Sequence, residues 1–309
     1  MGFQIESQIA SCGGKLLKLK HESTTTGTSM NVNVYLPQQY YNQPQQYYNQ
    51  KADKIPAVYY LSGLSCTPQN ASEKAFWQPQ ADKYGFAVVF PDTSPRGEDV
   101  PDDPENGWDF GLSAGFYVDA TQGPYDKNYR MYSYVHDELP NKLEEFFKST
   151  GSENGSTVDF LNNVAITGHS MGGFGAISGY LRQYASPRKY RSCSAFAPIV
   201  NPSQVPWGIK AFGSYLGHER AQWEKYDPSD LVKLVTNNGN DKILIHQGTN
   251  DPFYKDQLKP QLLLEAAKGT SWEDKFDLNL VDGFDHSYYF VSSFVPQHAE
   301  FHAKNLGLI

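Results

Sequence analysis

Val164-Ala165-Ile166-Thr167-Gly168-His169-Ser170-Met171-Gly172-Gly173-Phe174-Gly175 is the stretch on which the reading of this chain turns. A short β-branched run leads into Gly-x-Ser-x-Gly, and a Gly- and Ala-rich helical pattern follows. That order predicts a nucleophile elbow, with Ser170 on a tight strand-to-helix turn and its hydroxyl raised above the sheet. Such a turn strains the backbone at the serine. It also needs small neighbours where strand and helix nearly touch, and Gly168 and Gly172 supply them. The helix start aims N–H groups at any oxyanion formed beside Ser170. A loop of Gly and Ser can match five letters by chance; the strand before and the helix after set this one apart.

Outward from the elbow, strands alternate with helices. Upstream, 3–20 and 29–36 read as two early strands, the second alternating from Met30 to Leu36 as a half-buried strand does. The Tyr/Gln near-repeat at 38–50 reads as a low-complexity surface loop. Ile55 to Leu61 and Ala87 to Phe90 are buried strands, with a helix at 71–84 between them. A long Pro/Gly/Asp/Trp-rich loop covers about 93–125. A helix follows over 130–148, where Pro140 invites a kink. Downstream come a strand at 193–200, an irregular helical segment at about 201–235 over the sheet edge, and a strand at 242–246. A helix at 256–268, a strand at 276–281 and a final helix at roughly 288–305 complete the chain. This order predicts the α/β class, an α/β-hydrolase fold whose mostly parallel central sheet carries helices on both faces. No linker divides the chain, so residues 1–309 read as a single domain.

A serine hydroxyl is a poor nucleophile at neutral pH and needs a base, with an acid to orient that base. In this fold the partners follow in the order Ser, Asp or Glu, His, each on a loop after a strand. Asp251, on a turn just past the 242–246 strand, and His286, just past the 276–281 strand, meet that order. The other histidines read otherwise. His169 lies in the elbow but should turn away from Ser170 into a packing role, and His246 sits within the sheet. His218, His298 and His302 fall on helical or irregular surface stretches, where a solvated ring is expected. Asp282 and Asp285 flank His286 as loop acids. The oxyanion hole needs two N–H donors: Met171, after the nucleophile, and a residue of Ser62-Gly63-Leu64, where Leu64 is assigned and Gly63 is the alternative. Cys66 and Trp207 are candidates for the substrate pocket, each with ordinary packing as the competing reading.

Composition narrows the classes. The net charge is -8, with 34 Asp and Glu against 26 Lys and Arg, and no basic stripe that nucleic acid would need. No apolar run reaches membrane-spanning length, and no secretory, myristoylation, retention or peroxisomal pattern is present. The three cysteines, Cys12, Cys66 and Cys193, are widely spaced, unlike a disulfide framework or a metal site, so a reduced cytoplasmic protein is expected. No metal motif and no dinucleotide fingerprint is found, so neither metal nor cofactor is expected.

Four stretches together carry a resemblance. They are Ser62-Gly63-Leu64-Ser65-Cys66-Thr67, Phe90-Pro91-Asp92-Thr93-Ser94-Pro95-Arg96-Gly97, Gly168 to Gly173, and Gly283-Phe284-Asp285-His286-Ser287-Tyr288-Tyr289-Phe290. They resemble the S-formylglutathione hydrolase (esterase D) family, most of all its fungal members, from about residue 7 to the end. The Tyr/Gln repeat departs from that pattern. The resemblance implies hydrolysis of S-formylglutathione to formate and glutathione in formaldehyde detoxification, by a cytosolic homodimer without a cofactor. It places the triad on Ser170, Asp251 and His286. A broad small-acyl carboxylesterase, an acyltransferase or a non-catalytic hydrolase-fold binding protein remain the alternatives, while a lipase would want a larger apolar lid. The glutathione-binding residues are not legible; Lys74, Arg96 and Lys210 are candidates by loop position alone.

Overall fold

The computed structural model describes residues 2–42, 54–151, 155–184, 190–239 and 241–309. Its strands are β1 (Gln4–Ser11), β2 (Gly14–Glu22), β3 (Ser29–Leu36), β4 (Ile55–Leu61), β5 (Ala87–Pro91), β6 (Val158–Gly168), β7 (Tyr190–Phe196), β8 (Ile243–Gly248) and β9 (Phe276–Val281). They form one sheet in the order β1-β2-β3-β5-β4-β6-β7-β8-β9. The pairs from β1 to β3, and β3 with β5, are antiparallel; every pair from β5 to β9 is parallel. The stretch 3–20 is therefore a hairpin and not one strand. Cys12-Gly13 turns it, with Cys12 at φ 53°.

Sequence explains the sheet's burial. β4 reads Ile-Pro-Ala-Val-Tyr-Tyr-Leu and is buried at every position, as a central parallel strand covered on both faces must be. β1, at one edge, is exposed along most of its length. From β4 the chain crosses to one side to build β5, then returns to the other side to build β6. The order of strands thus reverses between β4 and β6. A crevice opens at the carboxyl ends of two strands where such a reversal occurs. Leu61 and Gly168 pair at those two ends, and the elbow begins there.

The helices are α1 (Gln38–Asn42), α2 (Pro68–Lys74), α3 (Gln78–Tyr84), α4 (Met131–Ser133), α5 (Leu139–Thr150), α6 (Met171–Arg182), α7 (Pro206–Leu216), α8 (Arg220–Trp223), α9 (Pro228–Leu234), α10 (Gln261–Ala267) and α11 (Tyr288–Asn305). α2, α3 and α11 pack together on one face; α5 and α6, with α9 and α10, cover the other.

Several boundaries differ from the sequence reading. The single helix expected at 71–84 is two, because Phe76 takes φ 58° and Pro79 starts a new helix. The kink expected at Pro140 appears as a π-helical turn over Tyr134–Glu138, which widens the helix where proline would meet the carbonyl four residues back. Part of the Tyr/Gln stretch is α1 and not loop, with Tyr40 buried against Phe147; residues 43–50 lie outside the described residues. The segment at 201–235 is more regular than expected, since α7 and α9 are amphipathic helices that bury Phe212, Tyr215, Leu231 and Val232.

Candidate active site

Ser170 sits at the end of β6 with φ 60° and ψ −121°, a conformation costly for any residue bearing a Cβ. The surrounding contacts enforce it. A Cβ on Gly172 would lie 2.0 Å from the Leu61 carbonyl oxygen, and one on Gly168 would lie 2.2 Å from the Gly172 carbonyl. Strand β4, strand β6 and helix α6 thus meet backbone to backbone. Ser170 N–H donates to the Phe196 carbonyl and Gly172 N–H to the His169 carbonyl, which fixes the turn. The elbow has the geometry the sequence predicts.

Asp251 and His286 come together as expected. His286 Nδ1 and Asp251 Oδ2 are 2.5 Å apart, and the carboxylate is shielded from solvent. Asp251 Oδ2 also accepts from Gln247 Nε2, and Oδ1 accepts from the Phe253 N–H. Three donors converge on one carboxylate, so its orientation is fixed. His286 is held on its flanks as well. The His169 ring lies 4.5 Å from it and Phe253 meets it edge-on at 5.0 Å. Immediately after it, Ser287 caps α11 by accepting from the Tyr289 N–H.

Ser170 and His286 line one pocket of about 280 Å³ with Gly63, Leu64, Cys66, Trp108, His169, Trp207, Phe253 and Tyr288. The β4 loop approaches closely: a Cβ on Gly63 would lie 3.0 Å from Ser170 Cβ. In that loop the Ser65 and Cys66 N–H groups already donate to the Ser113 and Gly63 carbonyls. They are therefore spent, and Leu64 and Gly63 remain as the loop's candidates for an oxyanion donor. Met171 opens α6 beside Ser170. A cavity of similar volume lies between β1, β2, α1 and α5, lined by Ile5, Leu17, Tyr41 and Phe146 among others, with no serine, cysteine or histidine in its lining.

A family model described as a putative esterase matches residues 23–301. S-formylglutathione hydrolase of Saccharomyces cerevisiae is 62% identical over 306 residues, spanning 99% of this chain and 100% of its own length. The chain belongs to the S-formylglutathione hydrolase family of esterases. Among solved structures, an S-formylglutathione hydrolase from Agrobacterium tumefaciens superposes on the esterase with a TM-score of 0.84 at 40% identity, covering 99% of this chain and 100% of that one. The fluorophosphonate-binding serine hydrolase FphF of Staphylococcus aureus, at 17% identity and a TM-score of 0.63 over 94% of this chain and 98% of its own, shares the fold.

Other residues of the esterase fall less simply. Cys66 and Trp207 both line the pocket, as the sequence reading allowed. Burial pushes the Cys66 thiol up, and its Sγ lies 3.8 Å from the Tyr288 hydroxyl. His169 packs, as expected, and the ring it packs against is that of His286. Burial, then the neighbouring His286, hold its ring well below the usual imidazole range, so it stays neutral. Arg96 makes a two-pronged pair with Asp92 and also reaches Ser113 and the Cys66 carbonyl; Lys210 bridges Asp103 and Asp109. Both cations are engaged within the protein, and Lys74 is exposed at the end of α2. His298 and His302 are fully buried, contrary to the expectation of solvated rings. They join His246, Ser194, Ser192 and Thr167 in one hydrogen-bonded cluster under α11.

Sequence reasoning missed Phe253, Trp108 and Tyr288 as pocket residues. Phe253 and Tyr288 each stand two positions from an assigned triad residue, a spacing that could have flagged them. Trp108 carried no local signal beyond its aromatic side chain in a polar loop. No described helix is long and apolar enough to cross a membrane, and no group of described His, Cys, Asp or Glu has the arrangement to hold a metal ion.

Proposed function

We propose that the chain hydrolyses S-formylglutathione to formate and glutathione through Ser170, His286 and Asp251. The observation that carries this reading is the shielded Asp251–His286 pair opening into the same pocket as the strained Ser170. The curated relative, 62% identical over the full chain, bears the name of that activity.

In the reaction, Ser170 Oγ attacks the formyl carbon while His286 Nε2 takes its proton. The carbonyl oxygen becomes an oxyanion, held by the N–H groups of Met171 and Leu64; each such donor contributes about 3 kcal/mol in comparable sites. The C–S bond then breaks, and the departing sulfur takes the proton from His286 and leaves as the thiol, which returns the ring to its neutral, basic form. The formyl ester on Ser170 remains. Water gives a proton to His286 and attacks the ester, the C–O bond to Ser170 breaks, and Ser170 recovers its proton as formate departs. Asp251 orients the imidazole and stabilises its charged form throughout. Cys66 and Trp207 belong to the pocket wall and limit the size of the acyl group.

We read residues 1–309 as one domain, because the sheet takes strands from early and late parts of the chain alike. A cytoplasmic location is consistent with the free state of Cys12, Cys66 and Cys193. A homodimer is carried by the family resemblance, and light scattering of the purified protein reads it directly.

The deciding experiment compares kcat/KM for S-formylglutathione, S-lactoylglutathione and p-nitrophenyl acetate, with Ser170→Ala in parallel. Preference for the formyl thioester by orders of magnitude, lost in the variant, supports the proposal. Equal or better turnover of the simple ester returns the chain to a broad esterase, with the triad intact.

A further inference from the structure

The pocket has an aromatic wall that runs from its base to the surface. Phe253 meets His286 edge-on, Trp207 lies 4.7 Å from Phe253, and Trp108 meets Trp207 edge-on at 5.4 Å. Trp108 is 56% exposed and is the outermost member. An exposed tryptophan on a long loop would ordinarily be free to swing. This one is held on both sides of the ring contact. Lys210, three residues after Trp207 on α7, donates to Asp103 Oδ2 and to Asp109 Oδ1, both at 2.7 Å. Asp103 is buried and in turn accepts from the Gly107 and Glu105 N–H groups. The fit around Gly107 is close, for a Cβ there would lie 2.4 Å from Asp103 Oδ2 and 2.8 Å from Lys210 Nζ. The residues before and after Trp108 are thus tied to the same turn of α7 that carries Trp207.

We infer that Trp108, clamped by Lys210 at the pocket mouth, is the docking face for the peptide leaving group of the thioester. The inference rests on the proposed reaction. A formyl group is a single carbon and ends beside Ser170. Whatever part of such a substrate reaches an exposed side chain at the mouth therefore belongs to the thiol side. A flat indole held edge-on against a second indole keeps one broad face open, and an extended peptide stem packs on such a face at little entropic cost. The clamp makes this a preorganised surface, because Trp108 loses no loop freedom when the leaving group arrives. Lys210, spent on two carboxylates, acts here as a positioning residue and not as an anion receptor.

Two thioesters with the same acyl group separate this role from the chemistry. S-acetylglutathione carries the full leaving group; S-methyl thioacetate carries one too short to reach Trp108. The expected result in Trp108→Ala is a fall of about tenfold in the ratio of their kcat/KM values, carried by KM for the glutathione thioester. Trp108→Phe retains most of the ratio because it keeps a flat ring. Lys210→Met lowers the ratio in the same direction by releasing the loop, and Asp109→Asn is read the same way should Lys210→Met unfold. Trp108→Leu serves if Trp108→Ala does. An unchanged ratio in the Trp108 variants, or an equal fall for both substrates, overturns the inference. If the parent protein itself shows no preference for the glutathione thioester, the proposed reaction fails instead, which keeps the two failures distinct.

Discussion

Asp251 uses both carboxylate oxygens, and one of its three partners is the imidazole of His286. That makes Asp251→Asn informative. An amide can occupy the same space but presents N–H where the ring presents N–H, so His286 is driven toward the other tautomer and Nε2 no longer accepts the serine proton. The expected outcome is a loss of about 10⁴-fold in kcat with an unchanged circular dichroism spectrum. Cys66 offers a second test. Its thiol is held above the ordinary range by burial, so alkylation by iodoacetamide is slow at neutral pH and accelerates as pH rises. Bulk added at Cys66 narrows the pocket, so activity and free thiol should disappear together, and Cys66→Ser should abolish that sensitivity. Gly172→Ala should be severe for a different reason. Its Cβ would fall 2.0 Å from a backbone oxygen that has no rotamer to retreat into, a cost of about 3 kcal/mol or more measurable in thermal unfolding.

Helix α11 is read correctly in position and incorrectly in its interior. His298 and His302 are polar letters on a helix near the chain's end, and a solvated face was the natural expectation. They are buried because Ser192, Ser194 and Thr167 offer hydroxyls on the strand surface beneath. The cluster admits one ordering of protons. Ser194 Oγ donates to Thr167 and accepts from His298 Nδ1 and His302 Nε2; His246 Nδ1 then donates to His298 Nε2, and Ser192 donates to His302 Nδ1. Every ring must be neutral for this to hold. Burial lowers His246 to about 4 and His302 to about 3, and holds His298 well below its usual value. The unfolded chain binds these protons near pH 6.5 and the folded chain does not. Stability is therefore full above that pH and falls as pH drops toward 4, by ~1.4 kcal/mol per pH unit for each ring. Urea midpoints measured from pH 7 to pH 4.5 check this, and glutamine at 298 and 302 should flatten the curve. The strands and the elbow were legible because burial and tight turns leave letters in the local sequence. This cluster and the Trp108 wall were not, because the cluster joins β7 to residues more than a hundred positions away, and the wall joins residues 99 and 46 positions apart, through contacts that only the folded sheet creates.

At the scale of the whole molecule, charge and topology govern different properties. A net charge of -8 opposes, at long range, the approach of an anionic molecule such as the proposed glutathione thioester. Raising ionic strength to about 0.15 M shortens the range of that repulsion to about 8 Å. The expected outcome is a kcat/KM for glutathione thioesters that rises modestly with salt, while that for a neutral ester stays flat; a fall with salt would reveal a local cationic subsite. Topology has a kinetic consequence. Helix α6 is a poor helix by itself, since glycine at 172, 173, 175 and 179 favours the disordered chain. Each of these glycines lies against a particular neighbour: the Leu61 carbonyl, Pro198, the Tyr117 ring and the His136 ring. Those partners come from well before and well after it in the chain, so the helix gains its stability only when distant pieces have already met. The element that carries the nucleophile is thus a late arrival in folding. In refolding from urea, far-ultraviolet ellipticity should return first, and esterase activity should reappear only with the slowest phase.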